Sequence, residues 1–458
     1  MHSLSVRAAV RAPRPRWWPG LLAAAIVGAP APALAQETAA PEVGANSQNW
    51  AIHGQSTFVD QANLAFNSPY AGTNSLPASA NGRETFDLTL YAGLRPWRGA
   101  EIWINPEIDQ GFGLHNTLGV AGFPSGEAYK IGEVDPYFRL QRLFLRQTID
   151  LGGERSAVAA DLNQLAGPQT ANRVVMTAGK FNVTDVFDTN TYAHDPRHDF
   201  LNWALIDAGT FDYAADAWGY SVGAAVEWYQ GSWVLRTGVF DLSDVPNSPR
   251  LDPAFGQFQI EGEIEKDFKL AGKAGAIKLT GFLSRGRMAT FADAIALGEA
   301  TGAPPNVALA REYRGRGGLS FDVQQQLTPE LSLFARGGAA DGDIEPYEFA
   351  DIDRTISGGL SLTGKSWGRG GDTLAVGGVV NAISKIHQAY LADGGLGILI
   401  GDGQLPHPGA EDIVETYYDA ALGKFIHLSF DYQFVANPAY NRDRGPVSIF
   451  AARLHAQF

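Results

Sequence analysis

Sixteen segments near ten residues long, joined by connections that alternate between long and short, constrain this chain more than any other feature. The segments are 50–59, 85–95, 100–109, 142–151, 174–183, 218–229, 232–242, 257–268, 275–286, 316–327, 330–339, 354–364, 372–382, 414–422, 424–435 and 447–458. Connections after odd-numbered segments are long: 60–84, 110–141, 184–217, 243–256, 287–315, 340–353, 383–413 and 436–446. Those after even-numbered segments are mostly tight, such as Pro96-Trp97-Arg98-Gly99, Gln230-Gly231, Thr328-Pro329 and Gly423. A tilted strand of about ten residues spans a bilayer, and long outer loops with short inner turns are how an outer-membrane barrel is strung. A soluble β-sandwich also alternates along its strands but has no reason to sort its loops by length. The expected fold is therefore all-β: a transmembrane antiparallel up-and-down β-barrel of about 16 strands over 50–458, with both termini on the periplasmic side. One connection breaks the rule. Residues 152–173 are long where a turn is due, and Ala157 to Leu165 reads as a short helix.

Within the segments, side chains separate with period two, placing alternate residues on opposite faces. In the last strand Phe450, Ala452, Leu454, Ala456 and Phe458 oppose Arg453, His455 and Gln457. In 424–435, Ile426, Leu428, Phe430, Tyr432 and Phe434 oppose His427, Ser429, Asp431 and Gln433. In 218–229 the apolar row Tyr220, Val222, Ala224, Val226, Trp228 is flanked by aromatics at a spacing that suits two interfacial girdles. The apolar rows are expected to face outer-membrane lipid and the polar rows a lumen. The terminal Phe458 offers a handle to the outer-membrane assembly machinery.

Residues 1–35 read as a signal peptide, with Arg7, Arg11, Arg14 and Arg16, an apolar stretch from Leu21 to Val27, and Ala33-Leu34-Ala35 before the cut. Residues 36–49 are a small, polar periplasmic lead-in. Losing four arginines and no acid takes the formal charge from −14 to −18, which argues against a nucleic-acid partner. There is no cysteine, so rigidity must come from a closed ladder of strands and not from disulfides.

Several stretches resemble OprB-type carbohydrate-selective porins: Asn49-Trp50-Ala51-Ile52-His53-Gly54-Gln55, Asp109-Gln110-Gly111-Phe112-Gly113, Gly179-Lys180-Phe181 to Tyr220, Val435 to Asn441, and Arg453-Leu454-His455-Ala456-Gln457-Phe458. The resemblance covers nearly the whole mature chain. It implies a sixteen-stranded outer-membrane porin that admits sugars, and within the family it is similar to a branch also described as high-affinity manganese porins.

A porin's mechanism is a constriction that binds firmly enough to admit and loosely enough to release. In general porins the third outer loop folds into the lumen. Here that connection, 184–217, holds seven acids, among them Asp185, Asp188, Asp195, Asp199, Asp207, Asp212 and Asp216, with His194, Arg197, His198, Asn202, Trp203 and Tyr213. The bland alternative is a solvated acidic loop with a turn at Asp195-Pro196. Inward rows add Glu101, Glu107 and Asp109 on one strand, Arg142 and Arg146 on the next, and Arg236, Arg336 and Arg453 further round. Opposed acidic and basic rows impose a transverse field, while guanidinium groups and aromatic faces suit sugar hydroxyls and rings. An alternative permeant is a divalent cation such as manganese, held by His194, Asp195, His198 and Asp199. Asp341-Gly342-Asp343-Ile344-Glu345 matches only part of a calcium loop. No nucleophile–base pair suggesting a barrel enzyme is evident, no cofactor is implied, and the choice between a monomer and a homo-oligomer such as a trimer stays open.

Overall fold

The computed structural model describes residues 47–128 and 132–458; the expected signal peptide and residues 36–46 of the lead-in lie outside the described residues. The strands are β1 (Trp50–Asn63), β2 (Asn81–Leu94), β3 (Ala100–Gly111), β4 (Glu133–Val158), β5 (Gly167–Phe181), β6 (Ser221–Gln230), β7 (Trp233–Asp241) and β8 (Phe258–Leu270). They continue with β9 (Lys273–Met288), β10 (Glu312–Gln326), β11 (Leu331–Ala340), β12 (Arg354–Thr363), β13 (Thr373–Ala382), β14 (Glu411–Ala421), β15 (Ile426–Ala436) and β16 (Val447–Gln457). Each pairs antiparallel with its chain neighbours, and β16 pairs with β1 from Gln55↔Gln457 to Asn63↔Ile449, closing a sixteen-stranded barrel. The terminal residue completes the seam, since Phe458 and Gly54 exchange backbone hydrogen bonds at 3.0 and 3.2 Å. No described helix is long and apolar enough to cross a membrane; this chain crosses with strands.

The period-two reading decides which face is which. Leu88 and Leu90 of β2 are exposed while Asp87 and Thr89 are buried, and Phe450 and Leu454 of β16 are exposed while Arg453 and His455 are buried. Trp50, Trp97, Trp228, Trp233, Trp367, Phe425 and Phe458 stand exposed at the turn end, the aromatic girdle of one interface. Tyr220 departs from the expectation of a girdle aromatic. It precedes β6, is buried, and its hydroxyl accepts from Arg142 at 3.4 Å inside the barrel.

Residues 152–173 also depart from expectation. β4 and β5 stay paired beyond the barrel wall, down to Val158↔Gly167, so only 159–166 form a connection and Ala157 to Leu165 make no helix. The ladder bends at Gly152 and Gly153, whose φ of 98° and 89° lie in the region open to glycine, and the register shifts there as in a β-bulge. The hairpin tip tucks beneath the barrel mouth. Gln48 donates its N–H to Ala166 O at 3.0 Å, and Ala166 N–H donates to Gln48 Oε1 at 2.8 Å, while Leu165 is buried. Strand pairing and this anchorage satisfy the backbone that a helix would otherwise have to satisfy internally.

Candidate channel constriction

The inside of the barrel is two-sided. One side is filled by the outer connections L2 (described over 112–128), L3 (182–220), L6 (341–353) and L7 (383–410). L3 carries a single helical turn, α1 (Trp203–Ile206), started by Asn202, whose side chain accepts from Ala204 N–H at 3.1 Å. Around α1 an apolar core forms within the lumen. Phe123 of L2 stacks on Trp203 at 5.2 Å, Phe200 meets Tyr417 at 5.1 Å and Phe334 at 5.4 Å, and Tyr213 meets Phe349 of L6 at 5.0 Å. A buried aromatic of this size contributes about 1.5–3 kcal/mol, so the loop packing is a second core and not a loose drape.

Acids on the barrel wall dock this core. Glu411 accepts the N–H groups of Ala121 (2.9 Å), Gly122 (2.8 Å) and Ala439 (2.8 Å). Glu415 accepts those of Leu201 (2.5 Å) and Asn202 (2.9 Å), and Glu263 accepts that of Asp188 (2.8 Å). Backbone N–H groups of a buried loop must find acceptors, and carboxylates are the strongest available. Arginines serve the carbonyls. Arg336 donates to Leu205 O (2.8 Å) and Asp188 O (3.1 Å) and pairs with Asp322 (2.9 Å). Arg453 donates to the carbonyls of Asp199 (2.8 Å) and Pro196. Arg236 is enclosed by Glu227, Glu263 and Glu265 at 3.1, 2.6 and 2.5 Å.

The other side of the lumen, along β3 to β6, stays open. Here Arg139, Arg142 and Arg146 of β4 and Lys180 of β5 are only partly covered. Arg139 lies 3.5 Å over the Trp218 ring, and Trp218 donates Nε1–H to Tyr137 Oη at 2.9 Å. Asp216 receives both Arg139 (3.1 Å) and Lys180 (3.0 Å). Deeper in, Arg142 grips Asp185 through two bonds at 2.6 and 2.8 Å and sits 4.9 Å from the Tyr220 ring. Opposite stands the L3 tip, with Asp195 about two-fifths exposed at 42% of its side chain. Arg197 reaches back from that tip to Glu127 at 3.3 Å and Asp87 at 3.9 Å. Below Asp185 lies a cavity of about 1320 Å³, lined by Arg95, Glu101, Arg146, Arg173, Glu227 and Tyr229 among others.

Several residues expected on the water path therefore belong to the packed side. Asp188, Asn202, Trp203, Tyr213, Arg336 and Arg453 are buried anchors of the loop core. Glu107 and Asp109 are buried too, both accepting from the Gln141 amide, at 3.0 and 3.3 Å, with Thr89 also donating to Glu107 at 2.5 Å. Arg142 and Arg146 do face the open side, and Glu101 stands across the β3–β4 ladder from Arg146, 3.3 Å from Arg95 and 3.9 Å from Arg146. The sequence reading missed Arg139 because it falls outside the segments taken as strands, and passed over Lys180 although it lies within 174–183.

The four residues considered for a metal do not converge. Asp199 accepts the N–H groups of His194 (2.9 Å) and Asp195 (3.1 Å), and His198 Nε2 contacts Gln457 Oε1 at 3.2 Å while its ring packs 4.4 Å from His455. Among the described residues no group of three or more His, Cys, Asp or Glu is arranged to hold a metal ion. Burial lifts the Asp199 carboxyl to about 6 against the pull of those two N–H groups. Burial and then the Arg336 charge push His194 down to about 4. Burial, reinforced by Asp188, raises Asp207 well above the usual carboxylate range.

This is the arrangement of a channel with a side-displaced lumen loop. The sequence matches the profile described as carbohydrate-selective porin, OprB family, over residues 73–458. The chain belongs to that family. Its barrel superposes on the high-pH structure of OprB from Pseudomonas putida with a TM-score of 0.65 at 16% identity, covering 90% of this chain and 94% of that one. Two other outer-membrane proteins align more loosely. DcaP of Acinetobacter baumannii gives 0.49 at 11% identity, with 92% and 100% of the chains covered. OmpF of Salmonella typhi gives 0.47 at 11% identity, with 90% and 98% covered, and neither adds to the argument. A sequence search of curated proteins finds no match. As an OprB-family porin with a closed barrel and a lipid-facing apolar band, the protein resides in the bacterial outer membrane and works as a channel.

Proposed function

We propose that the channel passes carbohydrates by passive, substrate-selective diffusion along the open β4–β5 wall. The observation that carries this reading is the pairing of planar donors with aromatic groups on that wall: Arg139 over Trp218 and Arg142 beside Tyr220. A sugar presents hydroxyls around a ring with a weakly apolar face, so a guanidinium fork beside an aromatic offers partners to both. The arginines are already paired with Asp216 and Asp185, which keeps net attraction for a neutral solute modest and release fast. Tyr137 extends the strip outward, Lys180 stands level with Arg142 on β5, and the cavity below Asp185 receives the solute toward the periplasm.

A manganese path gains less support. It requires several carboxylates free to share one ion, whereas Asp188, Asp199, Asp212 and Asp216 are engaged by backbone N–H groups or by arginine. Sugar and Mn²⁺ block of the ion current through single channels in planar bilayers separates the two. Block by sugar in the millimolar range with little effect of Mn²⁺ supports the carbohydrate reading, and the reverse replaces it. We further propose Phe458 as the residue offered to the assembly machinery.

A further inference from the structure

The outward row of β9 changes character along its length. It reads Ile277, Leu279, Gly281 and Leu283, with the three apolar side chains exposed, and then Arg285 and Arg287. Ile277 to Arg287 is ten steps along the strand, or about 33 Å at the usual rise, and about 25 Å after a tilt near 40°. That height matches the apolar band of an outer-membrane barrel, so both arginines stand at its outer edge, beside the loop end of the barrel. Across the ladders they face Phe258, Gly315 and Tyr313. Gly315 matters for its lack of a side chain, since a Cβ there would come 3.2 Å from Arg285 Nη1. The Arg285 guanidinium thus lies flat over β10, 4.9 Å from the half-exposed Tyr313 ring. Among the described residues neither arginine makes an ion pair, and the acids Glu312, across the ladder from Met288, and Asp293 are taken by Arg314.

Two unpaired guanidinium groups at the edge of a hydrocarbon layer call for an anion supplied from outside the chain. A planar fork is matched best by phosphate oxygens, which accept two parallel bonds. We propose that Arg285 and Arg287 bind the phosphate of a phosphorylated glycolipid in the outer leaflet, with Tyr313 and Phe258 lying along its first acyl carbons. The site is on the outside of the barrel and independent of what passes through it.

The test is retention of labelled lipid A by the purified, folded porin, measured for the wild type and for R285Q/R287Q. Lipid A bearing its phosphates should be held about tenfold more weakly by the double variant, the loss of one or two charge-assisted bonds. Dephosphorylated lipid A should bind both proteins equally weakly. Single-channel conductance, which these outward residues do not touch, reports that the variant is folded. Equal retention by the two folded proteins overturns the proposal. So does equal retention of the two lipids by the wild type, or displacement of the lipid by inorganic phosphate at comparable concentration, which makes the site one for free phosphate.

Discussion

His194 shows how one residue in the lumen loop sets a pH response. It sits at the L3 tip with Asp195, and its Nδ1 stands 3.7 Å from Asp207 Oδ1, too far for a hydrogen bond. With its value held at about 4, the imidazole takes a proton less readily when the loop is docked than when it is released. A base lowered in the folded state loses stability for that state as pH falls from its usual value of about 6.5 through the lowered one. The His194 contribution alone should therefore raise loop-flicker events in single-channel records as pH is taken from 6.5 to 4, set against the opposite contribution of Asp199 and Asp207, whose carboxyls are raised in the docked loop. In H194Q, which carries no titrating group there, that rise should be reduced, with the pH 7 trace unchanged. An identical pH profile in the variant assigns the flicker to other groups.

At the scale of elements, the strands were legible and the loops were not. Period-two alternation marks β2, β8, β15 and β16 because lipid and lumen impose opposite chemistry on adjacent residues. The same alternation could not say what an inward carboxylate does. Glu107 and Glu415 look alike as members of polar rows, yet Glu415 receives loop N–H groups and Glu107 a side-chain amide, while Glu411, within the stretch read as a connection, begins β14 and receives loop N–H groups too. The L2 and L3 partners of Glu411 and Glu415 lie 213 to 290 residues away along the chain, while that of Glu107 lies 34 away on the next strand. Tyr220 departs because β6 begins at Ser221: Val222, Val226 and Trp228 keep the outward face the row predicts, while Tyr220 belongs to the end of L3 and turns into the lumen. Asp212 of L3 is the sharpest case of a loop device hidden from the sequence. Its carboxylate accepts the N–H groups of Tyr347, Glu348 and Phe349 of L6 at 2.5, 2.9 and 2.9 Å and pairs with Arg316 at 3.2 Å. D212N leaves an NH₂ facing a donor in this nest, at a cost of about 1–3 kcal/mol. Hydrogen exchange at residues 347–350 should then quicken by about tenfold or more while the β-ladder amides keep their protection. Unchanged exchange there would mean that L6 is held by its apolar contacts alone.

The whole molecule is a barrel whose outer surface answers to lipid and whose interior is divided between a packed loop core and one open wall. Replacing the outward Ala224 of β6 or Leu454 of β16 by Arg should destabilise the inserted barrel by about 2–4 kcal/mol if near the midplane. Thr148, which lines the cavity at the turn end, should accept Arg at little cost; comparable losses at both places would refute the division of faces. Refolding into vesicles followed by denaturant titration reads the difference. The central claim, that sugars are selected on the β4–β5 wall, is tested most directly by sugar block of single-channel current in R139Q/R142Q. These substitutions remove both guanidinium groups while the loop anchors Arg336 and Arg453 remain. The account predicts sugar block weakened about tenfold or more, corresponding to the loss of one or two charge-assisted hydrogen bonds, with the open-channel current retained. Sugar block equal to that of the wild type, in a double variant of normal conductance, would contradict it.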